Sequence, residues 1–345
     1  MHMETEKFIL VTGGAGYIGS HTVAALCNIG YTPVILDDLR NAKNSVIDNL
    51  ETITKKDIIH YRLDCSLQVN LDLLFDKFKF DAIIHFAAYK AVGESVAEPL
   101  KYYQNNLSSL LNVLAYAEKY DVKNIVFSSS CTVYGEPKDT KIVSEENEIM
   151  KASSPYGETK IMCEQILNDY SKANQNAKVV CLRYFNPIGA HDSALIGELP
   201  LGTPNNLLPY ITQTAIGKLD QLTVFGDDYE TEDGTCVRDY IHVVDLADAH
   251  VAACDFALSS KKGFFEAINI GTGNGTSVLQ AIKTFEQVTG VKLNYKIGAR
   301  RPGDVEAIYA NAAKAKNLLN WEAKHDLKSA ISSAWKWEQN LAKNV

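Results

Sequence analysis

Phe8-Ile-Leu-Val-Thr-Gly-Gly-Ala-Gly-Tyr-Ile-Gly-Ser20 carries a short apolar run straight into a glycine-rich turn. The apolar run predicts a strand, and residues 19–28 predict a helix. Gly13, Gly16 and Gly19 recur every third residue between them. Glycine permits the tight turn, lets backbone N–H groups approach a pyrophosphate, and allows a helix to pack close against a strand. The helix then faces the phosphates with the positive end of its dipole. Tyr17 and Ile18 lie within the same turn and belong to the same candidate cradle. A strand, a glycine turn and a helix in this order predict a dinucleotide-binding unit.

The pattern continues outward from that unit. Apolar runs at 32–37, 58–63, 81–87, 124–130 and 178–185 predict further strands, and residues 99–119 predict a long helix. Continuous apolar runs alternating with helices indicate a parallel sheet covered on both faces. The fold class expected is therefore α/β, a doubly wound parallel (Rossmann) sheet. After Asn186 the character changes. Residues 187–209 are rich in Pro, Gly and Asn and read as loops around a cleft. Shorter strands are expected at 222–225, 267–270 and 293–296, and a final helix near 327–339. These elements predict a second, smaller mixed α/β domain. The division expected is 1–186 for the cofactor and 187–345 for the substrate, with a segment near 237–272 packing back on the first.

Composition limits the function classes. A chain of 345 residues, 46% hydrophobic, can bury a sizeable core. Its net charge of −8 argues against a nucleic-acid-binding surface. Seven cysteines (27, 65, 131, 163, 181, 236, 254) form no C-x-x-C pair, so reduced thiols are expected rather than a metal site. No apolar run reaches the ~18 residues that span a bilayer. Residues 8–12 are too short for a signal-peptide core and run directly into glycines. A cytoplasmic enzyme without a membrane or nucleic-acid partner is expected.

The second strand ends in Asp37-Asp38, about 20 residues past the glycines. An acid there hydrogen-bonds the adenosine ribose hydroxyls and repels a 2′-phosphate, so NAD is expected over NADP, with Asp37 as the ribose ligand. Arg40 lies close by and weakens that preference. Asp64, after the third strand, is placed for the adenine edge, and Phe86-Ala87 for the pyrophosphate and ribose.

Ser154-Pro-Tyr-Gly-Glu-Thr-Lys160 holds a tyrosine and a lysine four residues apart. On a helix such a pair shares one face. A cation beside a phenol favours the phenolate, which at its ordinary pKa of about 10 is otherwise scarce at neutral pH. With 17 tyrosines, the chain also offers Tyr134 and Lys138 at this spacing. Gly135 and Pro137 make that stretch a poor helix. Ser154 and Pro155, by contrast, form an N-cap and first-turn sequence.

Several stretches together carry a resemblance. The glycine turn, Ser128-Ser-Ser-Cys-Thr-Val-Tyr-Gly135, Tyr156-x-x-x-Lys160 and Arg183-Tyr-Phe-Asn-Pro187 resemble the extended short-chain dehydrogenase/reductases. Lys90-Ala-Val-Gly-Glu-Ser95, Pro204-Asn-Asn-Leu207, Thr231-Glu-Asp-Gly234, Val237-Arg-Asp-Tyr-Ile-His242 and Arg300-Arg-Pro-Gly-Asp304 are similar to the UDP-glucose 4-epimerase family within them. These stretches span nearly the whole chain. The resemblance implies a bound NAD used without net consumption, a UDP-sugar substrate and a homodimer. It implies that Tyr156 removes the sugar 4-hydroxyl proton while hydride leaves C4, that Lys160 lowers the Tyr156 pKa and holds the nicotinamide ribose, and that Ser130 bonds the 4-oxygen. It adds Lys90, Asn105 and Tyr184 to the cofactor site. It places Asn186, Asn206, Leu207, Phe225, Arg238, Tyr240, Arg301, Asp304 and Ile308 at the substrate. Arginines suit the diphosphate because their planar fork donates two parallel bonds.

Three other readings compete. Sugar-nucleotide 4,6-dehydratases need an acid and base beside the catalytic Ser/Thr, whereas Cys131 and Thr132 follow Ser130 here. A non-catalytic NAD sensor would be expected to lack one of Tyr156, Lys160 and Ser130. A dehydrogenase releasing NADH differs in its products rather than its residues. Ile308 stands where the family resemblance places a gate for N-acetylated sugars, leaving a UDP-N-acetylglucosamine 4-epimerase as the alternative.

Overall fold

The computed structural model describes residues 6–137, 141–301 and 304–343. Seven parallel strands form its main sheet: β1 (Phe8–Thr12), β2 (Thr32–Leu36), β3 (Ile59–Tyr61), β4 (Phe80–His85), β5 (Asn124–Ser128), β6 (Lys178–Tyr184) and β7 (Phe264–Ile270). Their spatial order is 3-2-1-4-5-6-7. Because β1 lies between β2 and β4, the winding direction reverses there, and a crevice opens at the carboxyl ends of these strands.

The continuous apolar runs are explained by two covered faces. Ile9, Val11, Ile35, Ile84 and Val126 face one core, with Val23 and Ala24 of helix Tyr17–Asn28 and Leu246 and Ala253 of helix Val243–Ser259. Leu10, Val34, Leu36, Ile83 and Phe127 face the other, with Leu110 and Val113 of helix Pro99–Lys119 and Leu167 of helix Pro155–Ala173. Ile9, Leu10 and Val11 are all fully buried. A one-residue register slip would exchange the residues of the two layers and is disfavoured because each core is packed to its own side-chain shapes.

A second sheet takes Gly275–Ser277, Val237–His242, Ala307–Ala310 and Ile142–Val143 in that order, with Asn186–Ile188 also paired to Val237–His242. Strands Leu222–Phe225 and Tyr295–Gly298 form a two-stranded parallel sheet. Ile211, Phe285 and Ile331 occupy the core beneath this part of the chain.

Several boundaries differ from expectation. The first helix starts at Tyr17, because Gly16 is already its extended N-cap. The third strand keeps only Ile59–Tyr61, and the strand expected at 293–296 is Tyr295–Gly298, because Leu293 turns into the core. The run at 267–270 begins at Phe264 and extends the main sheet along β6. The last helix continues to Lys343. Among the described residues no helix is long and apolar enough to cross a membrane.

Candidate active site

The glycine turn closes on itself at the crevice. Gly13 N donates to Leu36 O (2.8 Å), and Gly16 N to Gly13 O (3.1 Å). Gly13 sits at φ +71°, where a Cβ would meet Ala87 N at 2.8 Å, and a Cβ on Gly19 would lie 2.2 Å from Gly13 O. Backbone from three loops therefore converges with no room for side chains. Gly16 caps the helix without any side-chain bond, and the first turn carries no acid. The first-turn N–H groups thus keep their positive end for an anion. Tyr17 Oη donates to Gly189 O (2.7 Å), Ile18 packs on the core, and Phe86 N donates to Thr12 O (2.9 Å). A dinucleotide pyrophosphate fits this cradle.

Asp37 stands at the end of β2 and accepts from Ala15 N (3.0 Å) and Leu39 N (2.8 Å). Burial raises its pKa against those two bonds. Each carboxylate oxygen keeps a second lone pair for a ribose hydroxyl. Asp64 and the Asn105 side-chain oxygen both accept from Arg40, so the structure brings these three together. Lys90 reaches toward Glu198 Oε1 (3.4 Å) and lies over the Tyr17 ring.

The helix Pro155–Ala173 presents the tyrosine and lysine. Ser154 caps it by accepting from Gly157 N (3.2 Å), and Pro155 opens its first turn. Tyr134, the competing tyrosine, lies in a 3₁₀ turn (Cys131–Tyr134) and donates to Asn269 Oδ1; Lys138 lies outside the described residues. Tyr156 and Lys160 are both buried, with Lys160 Nζ 5.9 Å from the Tyr156 ring centre and donating to Ser128 O (2.6 Å). Burial lowers the Lys160 pKa to about 8. The Tyr156 phenol behaves otherwise than expected from the spacing. Burial pushes its pKa well up, and the nearby Ser130 hydroxyl pulls only partly the other way. Ser130 also accepts from Thr132 N, so it caps the 3₁₀ turn as well as facing the phenol. Tyr184 Oη shares a 2.8 Å bond with Ser128 Oγ.

The substrate candidates gather on the second sheet and its loops. Arg238 and Ile308 are cross-strand partners, as are Asn186 and Tyr240. Arg238 and Arg301 converge on Asp304, at 3.7 and 2.7 Å. Arg301 also lies over the exposed Phe225 ring. Asn206 is the N-cap of helix Leu207–Ala215, and its amide donates to Glu198 Oε1 (2.6 Å). Burial raises the Tyr240 pKa to about 12, so its hydroxyl stays protonated. Ile308 is buried beside Val133 and Phe185. Pro302 and Gly303 of the arginine motif lie outside the described residues.

Sequence reasoning passed over three groups. Glu198 joins Lys90, expected at the cofactor, to Asn206, expected at the substrate; it lies in an aperiodic loop that offers no signal. Glu164 forms a bidentate buried pair with Arg183 and accepts from Ser129 Oγ (2.5 Å), bracing the strand end that carries Ser130. Its i+4 position after Lys160 is a legible signal. Tyr89, which bonds Arg40, is the third.

Comparisons with known proteins agree with this geometry. A family model described as GDP-mannose 4,6 dehydratase matches residues 10–334. A UDP-glucose 4-epimerase from Bacillus subtilis (strain 168) is 51% identical, the match covering 96% of this chain and 97% of the relative. The solved structure of a UDP-glucose-4-epimerase from Stenotrophomonas maltophila, with bound NAD and formylated UDP-arabinopyranose, superposes with a TM-score of 0.95. It is 44% identical and covers 99% of this chain and 100% of its own. A UDP-glucose 4-epimerase from Bifidobacterium longum in complex with NAD+ and UDP gives a TM-score of 0.94 at 44% identity, over 98% of this chain and 100% of that one.

Proposed function

The chain belongs to the GDP-mannose 4,6 dehydratase family and, within it, to the UDP-glucose 4-epimerases, and from that premise we propose that it interconverts UDP-galactose and UDP-glucose with a bound NAD. The observation that carries this reading is the buried Tyr156 and Lys160 on one helix, with Lys160 Nζ 5.9 Å from the Tyr156 ring centre and the Ser130 hydroxyl, just past β5, near the phenol. NAD bound here would supply the acceptor, and then the donor, of the C4 hydride. The cradle at Gly13, Gly16 and Gly19, with Tyr17, Ile18, Asp37, Asp64, Phe86, Ala87, Lys90, Asn105 and Tyr184, would hold it.

Tyr156 takes the proton from the 4-hydroxyl and gives it back to the 4-keto oxygen after the sugar has turned. Ser130, whose hydroxyl lies near the phenol, shares that proton and holds the 4-oxygen. Burial raises the phenol's pKa, and the Lys160 ammonium, 5.9 Å from the Tyr156 ring centre, is the chain's own positive charge placed to favour the phenolate. The hexose can turn because the grip is on the nucleotide. Arg238 and Arg301 hold the diphosphate, while Asn186, Asn206, Leu207, Phe225, Tyr240 and Asp304 position the UDP moiety. Dehydration is disfavoured, since the residue after Ser130 is Cys131, whose thiol burial pushes up to about 12 and so leaves it neither acid nor base. The test is to incubate the purified protein with UDP-galactose and no added NAD. UDP-glucose is expected; stoichiometric NADH or a stable 4-keto product would contradict the proposal.

The same reading divides the work between residues 1–186, with the returning segment near 237–272, and residues 187–345. Ile308, buried and intermediate in size between a small residue and a tyrosine, is the proposed gate for a 2-N-acetyl group. UDP-glucose/galactose is the main pair proposed. Ile308→Tyr is expected to lower turnover of UDP-N-acetylgalactosamine by about tenfold or more while sparing UDP-galactose, as a steric clash of 1–3 kcal/mol allows. Equal ratios in both proteins would dismiss the gate.

A homodimer is supported by apolar groups on the outer faces of two adjacent helices. Leu100 (80% exposed) and Leu111 on Pro99–Lys119, and Met162 on Pro155–Ala173, form an uncovered face. Leu111→Glu is expected to sediment as a monomer; an unchanged dimer would exclude this face. A cytoplasmic location is proposed because all seven cysteines are free thiols. Fractionation recovering the protein with membranes would refute it.

A further inference from the structure

Arg40 lies three residues past the expected ribose ligand Asp37, where a guanidinium ordinarily accommodates a 2′-phosphate. Taken alone it argues for NADP. Its surroundings in the fold argue otherwise. A guanidinium has five N–H donors and no acceptor. Here Nε donates to Asp38 and one Nη to Asp64, and that same Nη pairs with Asp38. The other Nη donates to Tyr89 Oη (2.7 Å) and Asn105 Oδ1 (3.1 Å). Every nitrogen of the guanidinium thus has a partner, and the plane is held against the Tyr89 ring, 5.3 Å from its centre. The arginine backbone joins in, its N–H donating to Asp38 Oδ1 (2.9 Å).

We propose that Arg40 is a masked 2′-phosphate ligand, and that Asp38 and Asp64, by occupying it, are determinants of NAD over NADP together with Asp37. The proposal rests on the reading of the cradle as a dinucleotide site. A phosphate needs two parallel N–H donors from the fork. It would have to displace a carboxylate from Arg40, while standing beside three carboxylates and one cation. The Arg40 side chain is 36% exposed, so it is reachable by a ligand once released. The paired carboxylate responds as a masking partner should: hydrogen bonds from Ser66 and the adjacent Arg40 charge hold Asp64 ionised below its ordinary range, despite burial.

The test uses the full chain, equilibrated with equal NAD and NADP, washed, denatured, and analysed for released dinucleotide by chromatography. Wild type is expected to release NAD almost alone. Asp38→Asn is expected to raise the NADP:NAD ratio by about tenfold or more, the effect of gaining a charge-assisted pair. Asp64→Asn is expected to move it the same way, which covers the case in which one variant folds poorly. Adding Arg40→Gln to Asp38→Asn is expected to abolish the gain. An unchanged ratio in both single variants overturns the proposal. So does a gain that survives in the Asp38→Asn/Arg40→Gln protein, because the loss of a negative charge alone would then explain it. Release of no dinucleotide from wild type would overturn the cofactor reading itself.

Discussion

Tyr156→Phe is expected to fold, to keep its dinucleotide and to lose about 10²- to 10⁴-fold in kcat, the range for a general acid–base group. The ring is buried, and phenylalanine fills the same volume, so packing is preserved. What disappears is the phenol oxygen near the Ser130 hydroxyl. Lys160 cannot replace it, because its ammonium is turned to Ser128 O and lies 5.9 Å from the ring centre. Released dinucleotide measured alongside kcat separates lost chemistry from lost cofactor. Near-normal turnover would remove Tyr156 from the mechanism.

Gly19→Ala is the second large effect expected. The new Cβ would stand 2.2 Å from Gly13 O and 2.8 Å from Gly14 Cα, and both are backbone in the tightest part of the turn. Neither can move aside as a flexible side chain would, so the cost falls at or beyond the upper end of the ~1–3 kcal/mol typical of overpacking. Loss of the bound dinucleotide and a Tm lower by several degrees are expected. A graded series sharpens the test. Gly16→Ala meets Gly13 O at 3.2 Å and should be milder, and Gly93→Ala meets nothing within 4 Å and should be neutral. Gly19→Ala with full dinucleotide content would contradict the cradle.

The parts of this protein legible in its sequence are those whose causes are local. The glycine turn was readable because a tight turn admits few residue types, and its three glycines lie within seven positions. The Tyr156 helix was readable because Ser154 and Pro155 mark its start and Gly135 and Pro137 spoil its competitor. The first helix began two residues early because an extended glycine serves as a cap without any side chain to announce it. What stayed hidden depends on distant contacts. Arg40 is held by groups 24, 49 and 65 residues away, so its charge could be read but not its masking. The Tyr156 pKa was expected to fall because its lysine neighbour is local, whereas the burial that raises it comes from the assembled fold. Glu198 sits in a loop without periodicity and was found only through its bonds to Asn206 and Lys90.

In the proposed reaction hydride leaves and returns to the same sugar carbon while Tyr156 exchanges only the oxygen-bound proton. The most direct measurement is the conversion of UDP-galactose in D2O by the purified protein without added NAD, followed by NMR of the product. UDP-glucose carrying its original hydrogen at C4 is the expected result. Deuterium at C4, or a failure to form UDP-glucose, would contradict it.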